Sequence, residues 1–175
     1  MNTKRLNEII RVNHAGENGA VAIYKGQINA LKFMGDKKTL PLIYDMLEGE
    51  KVHAKEFDKI IEKKRTRATA LMPLWHLSGF TLGVASALGG RDTLMACTEA
   101  VEEVIDKHYS DQIKELEDSK KEPEILEIIK QFHEDELEHE EIAKNEISEN
   151  TPALKAFKKI VKVGCRAAIS LSEKI

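Results

Sequence analysis

Apolar residues recur at three- and four-residue spacing along nearly the whole chain, which is the period of amphipathic helices. That spacing predicts a first helix over roughly Leu6 to Met34, ended by Gly35. A second runs from about Thr39 to Lys64, with Pro41 tolerated in its first turn. The pattern then changes. From Ala68 to Gly90, 23 consecutive residues include no Asp, Glu, Lys or Arg, and Arg67 and Arg91 flank them. Within this stretch Pro73 to Leu88 reads as a helix, Gly89-Gly90 as a break and nearby Asp92 as an N-cap. A fourth helix reaches about Asp118, a fifth runs from Pro123 to about Ile147, and Thr151-Pro152 opens a sixth to about Ser172. No strand-like alternation competes, so the fold class is all-α.

Four of these helices carry a carboxylate on the apolar face. Leu6, Ile10, Val21, Tyr24, Ile28 and Leu31 form the stripe of the first, and Glu17 lies on it. Glu50 fills a gap in the ladder Ile43, Leu47, Ala54, Phe57 and Ile61, with His53 three residues on. Met95, Thr98, Ile105 and Tyr109 flank Glu102, and Glu136 and His139 fall among Ile125, Ile129, Phe132, Ala143 and Ile147. Burying one bare carboxylate costs several kcal/mol or forces protonation. Four that converge require positive charge between them.

The spacing identifies that charge. Thirty-three residues separate Glu17 from Glu50 and 34 separate Glu102 from Glu136; both Glu50–His53 and Glu136–His139 read Glu-x-x-His. The pattern Glu … Glu-x-x-His therefore occurs twice. At i and i+3 a Glu and a His point about 60° apart with a rise of about 4.5 Å, so both can hold one metal. Two such helices and two single-Glu helices supply the ligands of a di-metal carboxylate site in a four-helix bundle. Mixed carboxylate and imidazole ligands suit iron or manganese better than calcium or a closed zinc site. Glu138, Glu140 and Glu141 read as a solvated acidic face and His133 as an ordinary surface or packing histidine.

Composition narrows the picture without redirecting it. The 175 residues fit one domain, 1–175, with ligand repeats over about 6–64 and 91–147, the apolar segment 68–90 and a C-terminal helix over about 152–172. A net charge of −3 from 27 basic and 30 acidic residues leaves no electrostatic footprint for nucleic acid. Cys97 and Cys165 form no Cys-x-x-Cys pair, which argues against a one-iron cysteine centre and for a reducing compartment. Met1 to Asn7 lacks the apolar core of a secretory signal, and no glycine motif for a nicotinamide or flavin domain is present.

The sequence resembles the demethoxyubiquinone hydroxylases, ferritin-like di-iron monooxygenases of ubiquinone biosynthesis. The matching stretches are Ile9–Ala22 (IIRVNHAGENGAVA), Leu71–Gly83 (LMPLWHLSGFTLG), Ala96–Tyr109 (ACTEAVEEVIDKHY), Asp135–His139 (DELEH) and Gly164–Glu173 (GCRAAISLSE). The resemblance implies a ferritin-like four-helix bundle with an additional interfacial helix. It implies two Fe ions, with Mn fitting the same ligands, held by Glu17, Glu50, His53, Glu102, Glu136 and His139. Glu50 and Glu136 would bridge, Glu17 and Glu102 would be terminal, and each His would bind one ion. Glu103 would support the ligands from outside, and His108 and Tyr109 match a pair associated with electron or proton transfer. Asn13 and Asn18 depart from the family, which often has Asp and Tyr there.

The implied reaction is hydroxylation of a polyprenyl demethoxyubiquinol or demethoxyubiquinone ring, with O2 as co-substrate and electrons from NADH, another donor or the quinol itself. Implied partners are the quinol, a membrane surface through residues 68–90, and other ubiquinone-biosynthesis proteins or a second copy of the chain. The implied place is the reducing side of a membrane: the cytoplasmic face of a bacterial inner membrane or the matrix face of a mitochondrial one. Three readings of residues 68–90 compete. A membrane span would put the two repeats on opposite sides and prevent the site from assembling, and a buried crossover would need another surface to cover it. An interfacial helix with Trp75 and His76 at the headgroup boundary fits best. An iron store would need a soluble cage that this stretch would spoil. A rubrerythrin-like peroxidase would need further cysteines, and a metal-free helical protein would be indifferent to metal removal.

Overall fold

The computed structural model describes residues 1–175 as six helices: α1 (Thr3–Met34), α2 (Leu40–Lys64), α3 (Met72–Leu88), α4 (Arg91–Ser119), α5 (Pro123–Glu146) and α6 (Pro152–Lys174). Local chemistry sets most boundaries. Asn2 Oδ1 accepts the backbone N–H of Arg5 at 2.9 Å, and Thr151 Oγ1 accepts that of Leu154 at 3.2 Å. Gly35 closes α1 at φ 73°, a left-handed conformation that glycine adopts without strain. One cap differs from expectation. Gly90, not Asp92, precedes α4. Asp92 lies in the first turn and accepts the backbone N–H groups of Ser148 (3.1 Å) and Glu149 (3.2 Å). It ties down the α5–α6 connection, a partner that no local capping rule could have named.

Helices α1, α2, α4 and α5 form the ferritin-like bundle, with α3 packed on α1 and α6 on α4 and α1. Two apolar clusters fill it. One gathers Tyr24, Ile28, Leu31, Ile43, Met46 and Leu94. The other gathers Ile9, Ile10, Phe57, Leu116, Ile129 and Phe132. Along each helix the carboxylates fall between the residues of these clusters, so the polar layer is closed at both ends by oil.

Helix α3 touches α1 backbone to backbone. A Cβ on Gly83 would collide with the carbonyl of Ile23, and one on Gly26 with that of Phe80. Small residues therefore serve contact here, and α3 buries Gly79, Gly83, Ser86 and Ala87 on that face. Its other face leaves Leu74, Leu77, Phe80 and Leu88 exposed. Trp75 is not a free anchor at that face, because its indole N–H donates to Ser172 Oγ on α6 at 2.9 Å. No helix is long and apolar enough to cross a membrane. Helix α6 is held by Lys158, whose ammonium donates to both oxygens of Glu99 at 3.0 and 3.1 Å. Arg5 adds bonds to Glu173 and Glu115, each at 3.0 Å.

Candidate metal centre

The six predicted positions meet in the middle of the bundle. Glu17, Glu50, His53 and Glu136 form one group, and Glu50, Glu102, Glu136 and His139 a second; the potential ligand atoms of each lie within 4.8 Å of one another. Glu50 and Glu136 belong to both. Each helix contributes because a polar side chain takes the place of an apolar residue on the inward stripe: α1 supplies Glu17, α2 Glu50 and His53, α4 Glu102, and α5 Glu136 and His139. All four carboxylates are buried, with exposures between 1% and 4%.

Glu136 spans the two groups. Its Oε1 lies 3.2 Å from His53 Nδ1 and its Oε2 3.2 Å from His139 Nδ1. His53 Nδ1 also lies 3.4 Å from Glu17 Oε2, and His139 Nδ1 3.2 Å from Glu50 Oε1. Burial acts to lower the imidazole of His53, but its hydrogen bond to Glu136 and the neighbouring Glu17 carboxylate outweigh it and hold the ring up at about 12. Burial acts to raise Glu136, but hydrogen bonds from His139 and His53 outweigh it and hold the carboxyl down at about 2. Glu50 and Glu102 are pushed well above the usual carboxylate range, first by burial and then by the neighbouring carboxylates. Two histidines thus do not neutralise four carboxylates.

The donor set fits a pair of cations. Both oxygens of Glu50 and Oε2 of Glu17 are buried without a hydrogen bond. Buried carboxylate oxygens left in this state need a cation or a proton. Hard anionic oxygens with one imidazole per group match divalent iron or manganese.

Two tyrosines complete the layer. Tyr109 donates to Glu17 Oε1, and Tyr24 donates to Glu102 Oε1 at 3.0 Å. The sequence shows Tyr24 only as part of an apolar stripe, because periodicity does not show where a phenol oxygen points. His108 stands apart from the carboxylates. Its Nε2 faces Gln112 Nε2 at 2.7 Å, and Gln112 exchanges two hydrogen bonds with Asn13 at 2.8 and 2.9 Å. Burial pushes His108 down to about 4. Asn18, the other departure from the family pattern, donates to the carbonyl of His14 at 2.9 Å within its own helix.

Three expectations need correction or addition. Glu103 turns away from the layer and pairs with Lys162 on α6. Glu140 is buried, not solvated, because Lys144 pairs with it one turn along α5. Asp135, given no role by its position on the outer side of α5, reaches His53 Nε2 with its Oδ2 at 3.0 Å. The sequence signals for Asp135 are its place immediately before Glu136 and its position at the head of the DELEH stretch that matches the family.

An apolar cavity of about 420 Å³ opens beside this layer among α1, α3, α4 and α6, with Ile23, Trp75, Leu82, Val101, Phe157 and Ile169 in its walls. A narrow gap bounded by Ala20, Ile23, Tyr24, Thr98, Val101 and Glu102 shares three of these walls' residues with it, namely Ala20, Ile23 and Val101. The gap is too small to admit a water molecule, so Ala20, Ile23 and Val101 form a thin wall between the cavity and the surroundings of Glu102.

Over residues 4–172 the chain matches the family described as ubiquinone biosynthesis protein COQ7. It is 45% identical over 176 residues to the mitochondrial NADPH-dependent 3-demethoxyubiquinone 3-hydroxylase of Rattus norvegicus, covering 99% of this chain and 80% of that protein. The protein of the same description in Homo sapiens is 46% identical over 172 residues, 97% of this chain and 78% of that one. The 3-demethoxyubiquinol 3-hydroxylase of Rhodospirillum rubrum is 40% identical over 171 residues, again 97% of this chain and 78% of that one.

Proposed function

We propose, since the chain belongs to the COQ7 family of ubiquinone biosynthesis proteins, that it hydroxylates the ring of a polyprenyl demethoxyubiquinol or demethoxyubiquinone. The whole chain acts as one unit of two ligand repeats with α3 and α6 as additions. The observation that carries the reading is the apolar cavity that lies beside the buried carboxylate layer, separated from Glu102 only by Ala20, Ile23 and Val101. A quinone ring with a prenyl tail needs such a container, dry and nearly without polar lining.

Glu17, Glu50, His53, Glu102, Glu136 and His139 would hold two iron ions, with Glu50 and Glu136 shared. Such a pair, when bound, supplies the activation of O2. The overall change replaces a ring C–H by C–OH; the second oxygen atom leaves as water after uptake of two electrons and two protons. The names of the mitochondrial relatives make NADPH the first donor to try. The chain's own part is positional. Ile23, Leu82, Val101 and Phe157 exclude water and grip the apolar substrate. Tyr24 and Tyr109 hold protons on their hydroxyls against Glu102 and Glu17, which fixes how those carboxylates point. Burial first, then Glu17, pushes the Tyr109 phenol well up, so it stays a donor. Tyr109 touches a ligand and His108 does not, so Tyr109 is the better placed of the two for proton movement at the site.

The exposed Leu74, Leu77, Phe80 and Leu88 of α3, with Ile160 and Val163 of α6, would rest on the bilayer that holds the substrate. The protein then sits peripherally on the reducing side of a membrane. The central test supplies purified metal-loaded protein with a demethoxyubiquinol, O2 and NADPH and follows product mass. Gain of one oxygen atom is expected, and an unchanged substrate with every donor tried would overturn the reading. Leu77→Glu is expected to reduce sedimentation with anionic liposomes several-fold; undiminished binding would remove α3 from the membrane contact.

A further inference from the structure

The two ligand repeats differ at one telling position. Gly49 precedes Glu50, whereas Asp135 precedes Glu136. Helices α2 and α5 face each other, so the residue before each glutamate stands beside the histidine of the opposite helix. Asp135 Oδ2 lies 3.0 Å from His53 Nε2. At the matching place a Cβ on Gly49 would lie 3.5 Å from His139 Cε1 and 3.6 Å from Nε2. Glycine offers that ring no side-chain acceptor.

The rest of the layer is balanced. Each group has three glutamates and one histidine. Each unshared glutamate receives one tyrosine hydroxyl, Tyr109 on Glu17 and Tyr24 on Glu102. The difference falls on the histidines. His53 stacks on Phe132 at a centroid distance of 3.9 Å and its side chain is 3% exposed. His139 meets Tyr24 only edge-on at 6.5 Å and is 12% exposed. An acceptor on the far nitrogen of a ligand histidine fixes its tautomer and ring angle and makes the near nitrogen more basic.

We infer that the two metal positions are unequal. The position set by Glu17, Glu50, His53 and Glu136 fills first and holds its ion tightly. The position set by Glu50, Glu102, Glu136 and His139 fills second, and its ion exchanges. Asp135 is the positioning residue behind the difference. The exchangeable position includes Glu102, which shares the neighbours Ala20, Ile23 and Val101 with the apolar cavity. This inference rests on the metal-binding reading and goes beyond it in ranking the two positions.

Titration of the metal-free full chain with Co(II), followed by its visible absorption and by competition with a chelator, tests the ranking. Wild-type protein is expected to bind two ions in steps at least about tenfold apart. Asp135→Asn should weaken the first step about 10- to 100-fold and bring the two together, with the first-step spectrum altered. Gly49→Ser places a hydroxyl within reach of His139 Nε2 and should tighten the second step. The Gly49→Ser and wild-type titrations decide the matter even if Asp135→Asn fails to fold. Two ions bound in one step by wild type, or a Gly49→Ser variant with an unaltered second step, would overturn the ranking while leaving metal binding intact. No Co(II) bound at all would overturn the metal reading itself.

Discussion

The two halves of the carboxylate layer come from the same pattern and end in different surroundings. In the half around His53, the ring is stacked on Phe132 and bonded to Asp135 at 3.0 Å. In the half around His139, the ring lies beside Gly49 and reaches solvent. A repeated motif thus fixes which residues point inward. It does not fix what stands behind them, because the residue before each glutamate points toward a different helix. The same contrast separates the two added helices. Helix α3 lies backbone to backbone on α1 through glycines, whereas α6 is tied to α4 by the buried Lys158–Glu99 pair, and the apolar cavity lies between α3 and α6.

Breaking what the halves share should produce the largest effect. Glu136 reaches both histidines at 3.2 Å, so Glu136→Ala is expected to lower hydroxylation at least about 1000-fold while far-UV circular dichroism keeps its helical signal. Activity within a factor of ten of wild type would show that the groups do not depend on a common carboxylate.

Breaking each half separately should reveal their inequality. In metal-free protein, His53→Ala removes a buried, stacked cation and leaves Glu17 and Glu136 without it, for a loss of about 3 kcal/mol. His139→Ala removes a more exposed ring and should cost about 1 kcal/mol. Urea unfolding of the two variants measures the gap, and equal losses would erase the distinction between a closed and an open half.

The gentlest probe is pH. Burial raises the Glu50 and Glu102 carboxyls in the metal-free protein, so the folded state holds protons that the unfolded chain releases. Their stabilising contribution is fully present below the ordinary carboxylate range and is lost as pH rises through the raised folded values. Metal-free protein should therefore be more resistant to urea at pH 5 than at pH 8. Metal-loaded protein should show the reverse order, because ions require the carboxylates without their protons. A metal-free protein that gains stability from pH 5 to pH 8 would contradict the raised carboxyls, and His53 could not account for the gain, because it keeps its proton while the unfolded chain loses one and so also loses stability across that range.

Much of the molecule is written in local pattern. The apolar period, with Gly35, Pro123 and Thr151 as punctuation, gives six helices, since turns and caps depend on near neighbours. Burial of charge is expensive, so Glu17, Glu50, Glu102 and Glu136 on apolar stripes imply a shared polar layer. The reach of Asp135 to His53, the phenol of Tyr24 against Glu102 and the turn of Asp92 toward Ser148 join segments far apart in the chain, and sequence spacing carries no information about distance across a bundle. Glu140 shows the same limit from the other side: it sits in an acidic run and is nonetheless buried against Lys144. The sequence by itself determined the helices, the inward residues and the doubled motif, because each follows from the period of one helix and the cost of burying a charge. Only the tertiary structure decided which histidine is backed by a carboxylate, where the cavity runs and which way Glu103 turns, because each depends on what the neighbouring helix brings to that place.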